Sequence, residues 1–274
     1  MKPSVFHTFP AYYTLLDKLG WYGLRVFCGG VLFFLLLPIL VIIPLSFSNS
    51  SFLSYPIPGW SLRWYQELLG SDDWAKATRN SFIVAPLATL IATTLGTLAA
   101  VGLARIQFFG KGLLTSLLIA PMVVPIVVVG VSTYLFFARI GLSDSYAGLV
   151  LVHAALGAPF VVTTVMATLQ GFNQNLVKAS LSLGAGPMQT FFRVTLPVIA
   201  PGVISGALFA FATSFDEVVV TLFLAGPAQT TLPRQMFTGI RENISPTIAA
   251  VATLLILFTA LLMMTMEWLR GRIK

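Results

Sequence analysis

Two adjacent carboxylates, Asp216 and Glu217, lie within an apolar stretch that is long enough to cross a membrane. Charged side chains inside a membrane are costly, so they usually face a cavity or a partner and mark a pathway. Thr213, Glu217 and Thr221 are spaced at i, i+4 and i+8, which places them on one helical stripe with Asp216 at its edge. We predict that these residues line an aqueous route and provide a counter-charge for a cationic substrate. The alternatives are a structural ion pair with a neighbouring chain, or a position near the outer end of the span.

Other side chains have the chemistry to assist such a site. His153, in a different apolar stretch, is a candidate ligand or proton carrier, but a lone His among Leu, Val and Ala is more often a hydrogen-bonded packing residue. Aromatic rings can hold an ammonium group through cation–π contact. Because the chain contains 22 Phe residues, we expect most of them to face lipid or the core. The candidate rings are Phe136, Phe137, Phe160, Phe209, Phe211 and Phe215.

Motifs for catalysis and nucleotide binding are missing from the sequence. The phosphate-binding pattern Gly-x-x-x-x-Gly-Lys-Ser/Thr does not occur, and Gly110-Lys111 lacks the rest of it. The His-Glu-x-x-His pattern, the Gly-x-Ser-x-Gly pattern and a Cys/His metal cluster are also absent. The single Cys28 cannot form an intrachain disulfide. We therefore expect a protein that is not an enzyme and that holds no metal or cofactor of its own.

The composition is that of a membrane protein. Hydrophobic residues make up 57% of the 274 residues and charged residues only 9%, whereas soluble proteins carry about 25% charged residues. The long apolar runs do not alternate as the strands of a barrel do. We predict an all-α membrane protein with six transmembrane helices of about 20 residues each. The predicted spans cover approximately residues 23–47, 81–103, 113–137, 146–169, 203–224 and 247–268.

Local signals add detail to two of these spans. Pro121 and Pro125 are expected to kink the third span. The fifth span carries a stripe of small residues suited to close packing against another helix. The stripe consists of Gly202, Gly206, Ala210 and Ser214.

Short helices are predicted in the first outer loop. Ser61 is placed to cap a helix that ends near Leu69. Asp72 and Asp73 are placed to begin another helix, which leads into the second span.

The loop between the fourth and fifth spans, residues 174–198, is predicted to form two short helices joined by a bend. Gly184 permits the left-handed turn that ends a helix, and Pro187 suits the first position of the next one. Pro197 and Pro201 are expected to close the unit. A helix–turn–helix between two spans must lie at the membrane face, in position to contact something soluble.

This loop resembles the signature loop of bacterial ABC-importer permeases, which reads Glu-Ala-Ala, three residues, Gly, nine residues, an aliphatic residue, any residue, Leu-Pro. The matching residues are Ala179, Gly184, Val194, Leu196 and Pro197, whereas Lys178 replaces the acidic residue and Ser180 the second Ala. The resemblance implies that the loop is a coupling helix that docks into a cleft of an ATPase subunit. The residues expected to form its bend and its docking surface are Lys178, Ala179, Ser180, Gly184, Pro187, Phe191, Phe192, Arg193, Leu196 and Pro197.

The resemblance extends over residues 23–269. Residues 61–65 and 79–81 are similar to segments that precede spans in the same family, and residues 215–246 resemble the second permease of spermidine/putrescine importers. The implied fold is a core of five helices plus one. The implied partners are a second, different permease, two ATPase subunits that bind ATP and Mg, and a periplasmic binding protein, in contact with membrane lipid and not with nucleic acid.

The implied function is the import of a polyamine such as putrescine or spermidine by alternating access. The alternatives are an importer permease for another small solute, such as an amino-acid-like compound or an anion, and a proton-coupled secondary transporter that uses Asp216, Glu217 and His153.

The distribution of basic residues predicts the orientation, because cytoplasmic loops carry an excess of Lys and Arg. We predict that the chain lies in a bacterial inner membrane with both termini in the cytoplasm. Residues 1–22 and 270–274 are then cytoplasmic segments, and residues 23–269 form the permease domain. This topology accounts for the net charge of +7 and places the loop at 174–198 in the cytoplasm. The inner residues are Lys2, Lys18, Arg25, Arg105, Lys111, Lys178, Arg193, Arg270, Arg272 and Lys274, and the outer residues are Arg63, Lys76, Arg79, Arg139, Arg234 and Arg241.

Overall fold

The computed structural model describes residues 14–105, 107–242 and 244–273. Most of the predicted N-terminal segment and the final residue of the predicted tail therefore lie outside the described residues. Within the described ranges the regular structure is helical, and one isolated bridge pairs Ser48 with Trp60. The α-helices are α1 (Leu15–Leu45), α2 (Arg63–Gly70), α3 (Asp72–Arg105), α4 (Lys111–Ile119), α5 (Ile126–Ile140), α6 (Tyr146–Gln170), α7 (Asn175–Ser182), α8 (Pro187–Thr190), α9 (Leu196–Phe215), α10 (Val219–Leu224), α11 (Leu232–Glu242) and α12 (Pro246–Ile273).

The helices confirm an all-α membrane fold. In the described part of the chain, five continuous helical segments are long and apolar enough to cross a membrane, and the bent pair α4–α5 would make a sixth span. The five segments are Leu15–Leu45, Asp72–Ala104, Tyr146–Gln170, Pro187–Phe215 and Pro246–Thr265.

The third predicted span contains the expected kink. The helical segment Lys111–Met122, which ends in a 3₁₀ turn at Ala120–Met122, is bent by 100° relative to α5. Pro125 precedes α5 with an extended backbone, φ −53° and ψ 128°. Proline has no N–H to donate, and it disfavours helical backbone in the residue before it. The prolines therefore separate two helices, as in a broken span or a re-entrant loop.

The fifth predicted span begins earlier than expected. Helix α8 continues through a π-helical turn at Phe191–Thr195 into α9, so that Pro187–Phe215 is one helical segment. The prediction that Pro197 and Pro201 close the loop is therefore wrong. Pro197 lies in the first turn of α9, directly after the π-helical turn, and Pro201 lies inside the helix. Membrane helices tolerate proline where local π adjustments satisfy the freed backbone groups.

The described part of the chain divides into two compact units, the first of which combines residues 14–67 with Ser245–Met266. Three hydrogen bonds join its helices within this unit. The hydroxyl groups of Ser46 and Tyr65 are 2.7 Å apart, and the Trp64 indole N–H donates to the Ser48 carbonyl over 2.7 Å. The Thr247 hydroxyl donates to the Glu67 carboxylate over 3.0 Å. No residue of α1 is buried, which leaves an apolar helix surface of the kind that lipid covers.

The predicted helix starts in the outer loop are confirmed. The Ser61 hydroxyl accepts a hydrogen bond from the Arg63 N–H over 3.1 Å, and α2 follows at once. Helix α3 begins at Asp72 and runs without interruption through the predicted second span.

The second unit contains Leu68–Ile244, and its core is formed where α3, α6 and α9 pack together. Helix α6 lies at the centre of this core and has buried residues on several faces. The predicted small-residue stripe of α9 is confirmed, since all four of its members are buried. A Cβ atom on Gly206 would lie 2.7 Å from the Cα of Val161, so the two helix backbones approach too closely for any side chain.

We expect Gly206→Ala to lower the free energy of unfolding by about 1–3 kcal/mol, because the added methyl group overpacks the contact between α9 and α6. Gly102→Ala is the matched control, since nothing lies within 4 Å of its added Cβ and Ala is the better helix former. Thermal unfolding of the two purified variants in detergent tests this prediction. Equal stability of the two variants would contradict it.

Candidate functional site

A break in the fifth span carries the two candidate carboxylates. Helix α9 ends at Phe215 and α10 begins at Val219, so that Asp216 and Glu217 lie between two helices. The prediction of one continuous helical stripe is therefore wrong. The Val220 N–H donates to the Glu217 carboxylate over 2.7 Å, and this bond satisfies a backbone group at the start of α10. A side chain that binds nearby backbone offers the chain an alternative to the helix ladder.

The four predicted pathway residues differ in exposure. Asp216 is exposed, Thr213 and Glu217 are half-buried, and Thr221 is completely buried. An exposed carboxylate beside a half-buried one gives this surface the charge that an amine requires. The pathway role of all four residues stays a prediction. Thr221 is buried, so its side chain does not lie on the surface that the other three residues share.

Aromatic rings flank the break. Phe215, the last residue of α9, stacks on Phe211 with 5.4 Å between ring centroids, and it meets Phe82 of α3 edge to face at 5.5 Å. Phe82 was not among the rings proposed from the sequence, because nothing local in α3 indicates that it faces α9. The other proposed rings form the pairs Phe136–Phe137 and Phe160–Phe209.

His153 connects α6 to both sides of the break. Its ring is 1% exposed. The Nδ1 atom lies 2.8 Å from the Ser214 hydroxyl and 3.1 Å from the Ser214 carbonyl, and the Nε2 atom lies 3.1 Å from the Thr221 hydroxyl. The interpretation of His153 as a hydrogen-bonded packing residue is confirmed. Its partners are hydroxyl and carbonyl groups of α9 and α10.

A second polar cluster anchors the loop at residues 225–232. The Asn80 amide donates to the carbonyl groups of Ala228, over 2.9 Å, and Thr230, over 2.8 Å. The Asn80 side-chain oxygen accepts from the Tyr146 hydroxyl over 2.7 Å. These bonds tie the loop that follows α10 to α3 and α6. Partners for Asn80 were not predicted from the sequence, where the signal was a polar amide directly before an apolar stretch.

The loop at 174–198 has the predicted bend. Gly184 has φ +85°, in the left-handed region. The Gly184 N–H donates to the Leu181 carbonyl over 3.0 Å, and the Ala185 N–H donates to the Ser180 carbonyl over 3.1 Å. This pair of bonds is the Schellman arrangement, which satisfies the last carbonyl groups of α7. The hydroxyl groups of Ser180 and Thr190 are 3.0 Å apart and join α7 to α8.

The bend exposes apolar side chains. Leu183 is 88% exposed and Met188 is 70% exposed, and both lie close to Gly184 in sequence. Phe192 is also exposed, and Phe191 packs edge to face against it at 5.1 Å. Leu183 and Met188 were not among the residues expected to form the docking surface, although apolar residues beside a predicted turn were a usable signal. The residues expected to form the bend and the docking surface are mostly exposed. The exposed ones are Lys178, Ala179, Gly184, Pro187, Phe192, Arg193 and Pro197, and the half-buried ones are Ser180, Phe191 and Leu196.

Known proteins are similar to this chain in fold and in sequence. Two solved structures of a bacterial ABC transporter match the chain. The first is the structure of the transporter involved in the import of the acidic polysaccharide alginate. Its TM-score is 0.76 at 14% identity, and the match covers 96% of this chain and 99% of the chain in that structure. The other, of the alginate transporter in complex with an alginate pentasaccharide-bound periplasmic protein, has a TM-score of 0.66 at 18% identity, over 90% and 93% of the two chains. At such identities the likeness shows the fold alone.

Two relatives from Escherichia coli (strain K12) are closer in sequence. The putrescine transport system permease protein PotI is 36% identical over 230 residues, which is 81% of this chain and 82% of PotI. The spermidine/putrescine transport system permease protein PotC is 30% identical over 241 residues, which is 88% of this chain and 91% of PotC. The family of binding-protein-dependent transport system inner membrane components matches residues 92–274. Several helices of the chain are apolar and each is long enough to cross a membrane, as a multi-pass protein requires. Because the family match also covers most of the chain, the chain belongs to that family of inner-membrane transport permeases.

Proposed function

We propose that this chain is the permease subunit of an ATP-driven importer that carries a polyamine, such as putrescine or spermidine, into the cytoplasm. The observation that carries this proposal is the identity of 36% and 30% to two polyamine permeases of Escherichia coli, in each case over more than four-fifths of this chain. The carboxylates in the break after α9 support it, because an ammonium group needs a compensating negative charge when it leaves water.

The proposed substrate surface is the break itself. Asp216 and Glu217 attract the cation, and Thr213 lies in the last turn of α9 beside them. The rings of Phe211 and Phe215 add surface over which an ammonium group is favourable. Thr221, which is buried, acts on this surface through the position of α10.

The proposed coupling surface is the bend at Gly184 with the exposed side chains around it. Leu183, Met188 and Phe192 form an apolar contact for an ATPase subunit, and Lys178 and Arg193 add positive charge. An exposed apolar surface beside polar groups is typical of a protein–protein contact. The ATPase subunits bind ATP and Mg, and hydrolysis takes place in them.

The proposed assembly contains a second, different permease, two ATPase subunits and a periplasmic binding protein. Both termini of this chain are cytoplasmic, and the loop at 225–232 faces the periplasm. The binding protein delivers the amine from the outer side, and closure of the ATPase dimer moves α7 and α8, which rocks the spans so that the site opens inward. His153 binds hydroxyl and carbonyl groups of α9 and α10, which supports this reading over a proton relay through His153 and the carboxylates.

Transport by the reconstituted assembly tests the function. The chain is assembled with its partner permease, ATPase and binding protein in liposomes that enclose ATP, and labelled putrescine or spermidine is added outside with the binding protein. We expect uptake that requires both hydrolysable ATP and the binding protein. Uptake by the chain alone without ATP would indicate a secondary transporter. ATP-driven uptake of an unrelated solute with no amine uptake would remove the substrate assignment.

A further inference from the structure

One buried imidazole holds both ends of the break that carries the candidate carboxylates. Ser214 lies two residues before Asp216, in the last turn of α9, and Thr221 lies four residues after Glu217, in α10. Both bind the same ring, that of His153, which belongs to α6. We call these three side chains the clasp.

Each ring nitrogen of the clasp faces one side of the break. Nδ1 contacts the hydroxyl and the carbonyl of Ser214, and Nε2 contacts the hydroxyl of Thr221. The Thr221 hydroxyl also donates to the Glu217 carbonyl over 3.2 Å, which joins the clasp to the break itself.

The break needs such an anchor because its own bonds are local. The residues from Asp216 to Val218 are not part of a helix, and the bond from the Val220 N–H to Glu217 joins groups only three residues apart. A local bond of this kind does not determine the direction of α10 relative to α9. The clasp fixes one residue on each side of the break to a third helix whose centre is buried, and α10 is held further at its end by the Asp144 N–H, which donates to the Leu224 carbonyl over 3.0 Å.

We propose that His153 is a positioning residue for transport, which holds the α9–α10 break in the geometry that presents Asp216 and Glu217 to the substrate. It acts through Ser214 and Thr221 and does not touch the substrate. This inference rests on the proposed role of the two carboxylates.

The first test measures the geometry of the break and does not require transport. In a Cys28→Ser background, Asp216→Cys introduces a single thiol at the break of the assembled complex, and its rate of reaction with a small methanethiosulfonate reagent is measured. We expect His153→Phe to change this rate at least fivefold. Phe109→Cys, at a fully exposed position, serves as the matched control thiol, and its rate should not change. An unchanged rate at position 216 overturns the proposal, whatever the transport result.

The second test measures amine molecules imported per ATP hydrolysed. We expect this ratio to fall about tenfold in His153→Phe while ATPase stimulation by the binding protein persists. A structural defect would instead lower uptake and ATPase activity together. A side-chain amide that takes the place of one ring nitrogen should recover part of the ratio. His153→Asn places its amide near the position of Nδ1 and replaces the bond to Ser214. His153→Gln places its amide near the position of Nε2 and replaces the bond to Thr221.

Thr221→Val keeps the shape of the side chain and removes the hydroxyl, so it tests the clasp if His153→Phe fails to fold. It should lower the ratio alone and lower it less in the His153→Phe background than in the wild type, because both changes remove the contact between Nε2 and the Thr221 hydroxyl. Additive losses would contradict the proposal. If the wild type imports no amine, the proposed function fails, and the thiol rate still decides whether His153 positions the break.

Discussion

Replacing Gly184 with Val is expected to lower ATP-driven uptake about tenfold and to make ATP hydrolysis independent of the binding protein. Gly184 has φ +85°, where a side chain that is branched at Cβ is strained, and left-handed backbone costs an L-residue about 1–2 kcal/mol. Since about 1.4 kcal/mol changes an equilibrium tenfold, this strain is enough to favour another conformation of the loop. The two N–H bonds to Leu181 and Ser180 would then be lost, and Leu183 would leave its place on the proposed coupling surface.

Two variants separate this backbone effect from an effect of side-chain bulk. Nothing lies within 4 Å of a Cβ built on Gly184, so a clash is not the cause. Gly186 also has open space, but its φ of −71° and ψ of 164° suit any residue, so Gly186→Val should transport normally. Gly184→Asn should retain most of the uptake, because Asn tolerates the left-handed region. The measurements are amine uptake and ATPase activity in liposomes with enclosed ATP. Wild-type uptake by Gly184→Val would refute the coupling role of the bend.

The second large effect is expected when the charges at the break are removed. In the double variant Asp216→Asn/Glu217→Gln, we expect amine uptake to fall at least tenfold while the binding protein still stimulates ATP hydrolysis. The reason is that the cation loses its counter-charge in a site where water no longer solvates it fully. The substitutions keep the shape of both side chains. Gln also keeps the side-chain oxygen that accepts from the Val220 N–H, so the start of α10 should be unchanged.

Glu242→Gln is the control for charge removal, since Glu242 is an exposed carboxylate at the end of α11. It should leave uptake at the wild-type level. The single variants Asp216→Asn and Glu217→Gln show how the effect divides between the exposed and the half-buried carboxylate. Normal uptake by the double variant would make the two carboxylates structural and would place specificity elsewhere in the assembly.

Local patterns were sufficient for most of the fold. Long apolar runs predict membrane helices because the backbone must satisfy its own hydrogen bonds in lipid, and the structure has helices at all six predicted places. The kink at Pro121 and Pro125 and the bend at Gly184 also followed from single residues, since proline lacks an N–H and glycine lacks a Cβ.

The same local rules were wrong where distant groups compete with them. Pro197 and Pro201 indicated the end of a loop, yet they lie in a continuous helix, because a π-helical turn precedes them and the buried Ile199 packs in the core. The stripe from Thr213 to Thr221 indicated one helical face, yet the helix breaks at Asp216. Periodicity describes which residues would share a face if the helix continues, and it carries no information on whether the helix continues.

The sequence by itself determined the class of protein, the approximate places of the membrane helices, the bend in the loop at 174–198 and the two carboxylates that are candidates for the substrate site. These depend on hydropathy, on backbone preferences of proline and glycine, and on the cost of charge in a membrane, all of which act within a few residues. Only the tertiary structure decided that the carboxylates lie in a break and that His153 of α6 binds both sides of it. Those contacts join residues more than 60 positions apart, and no local pattern specifies which distant hydroxyl group a buried imidazole will bind.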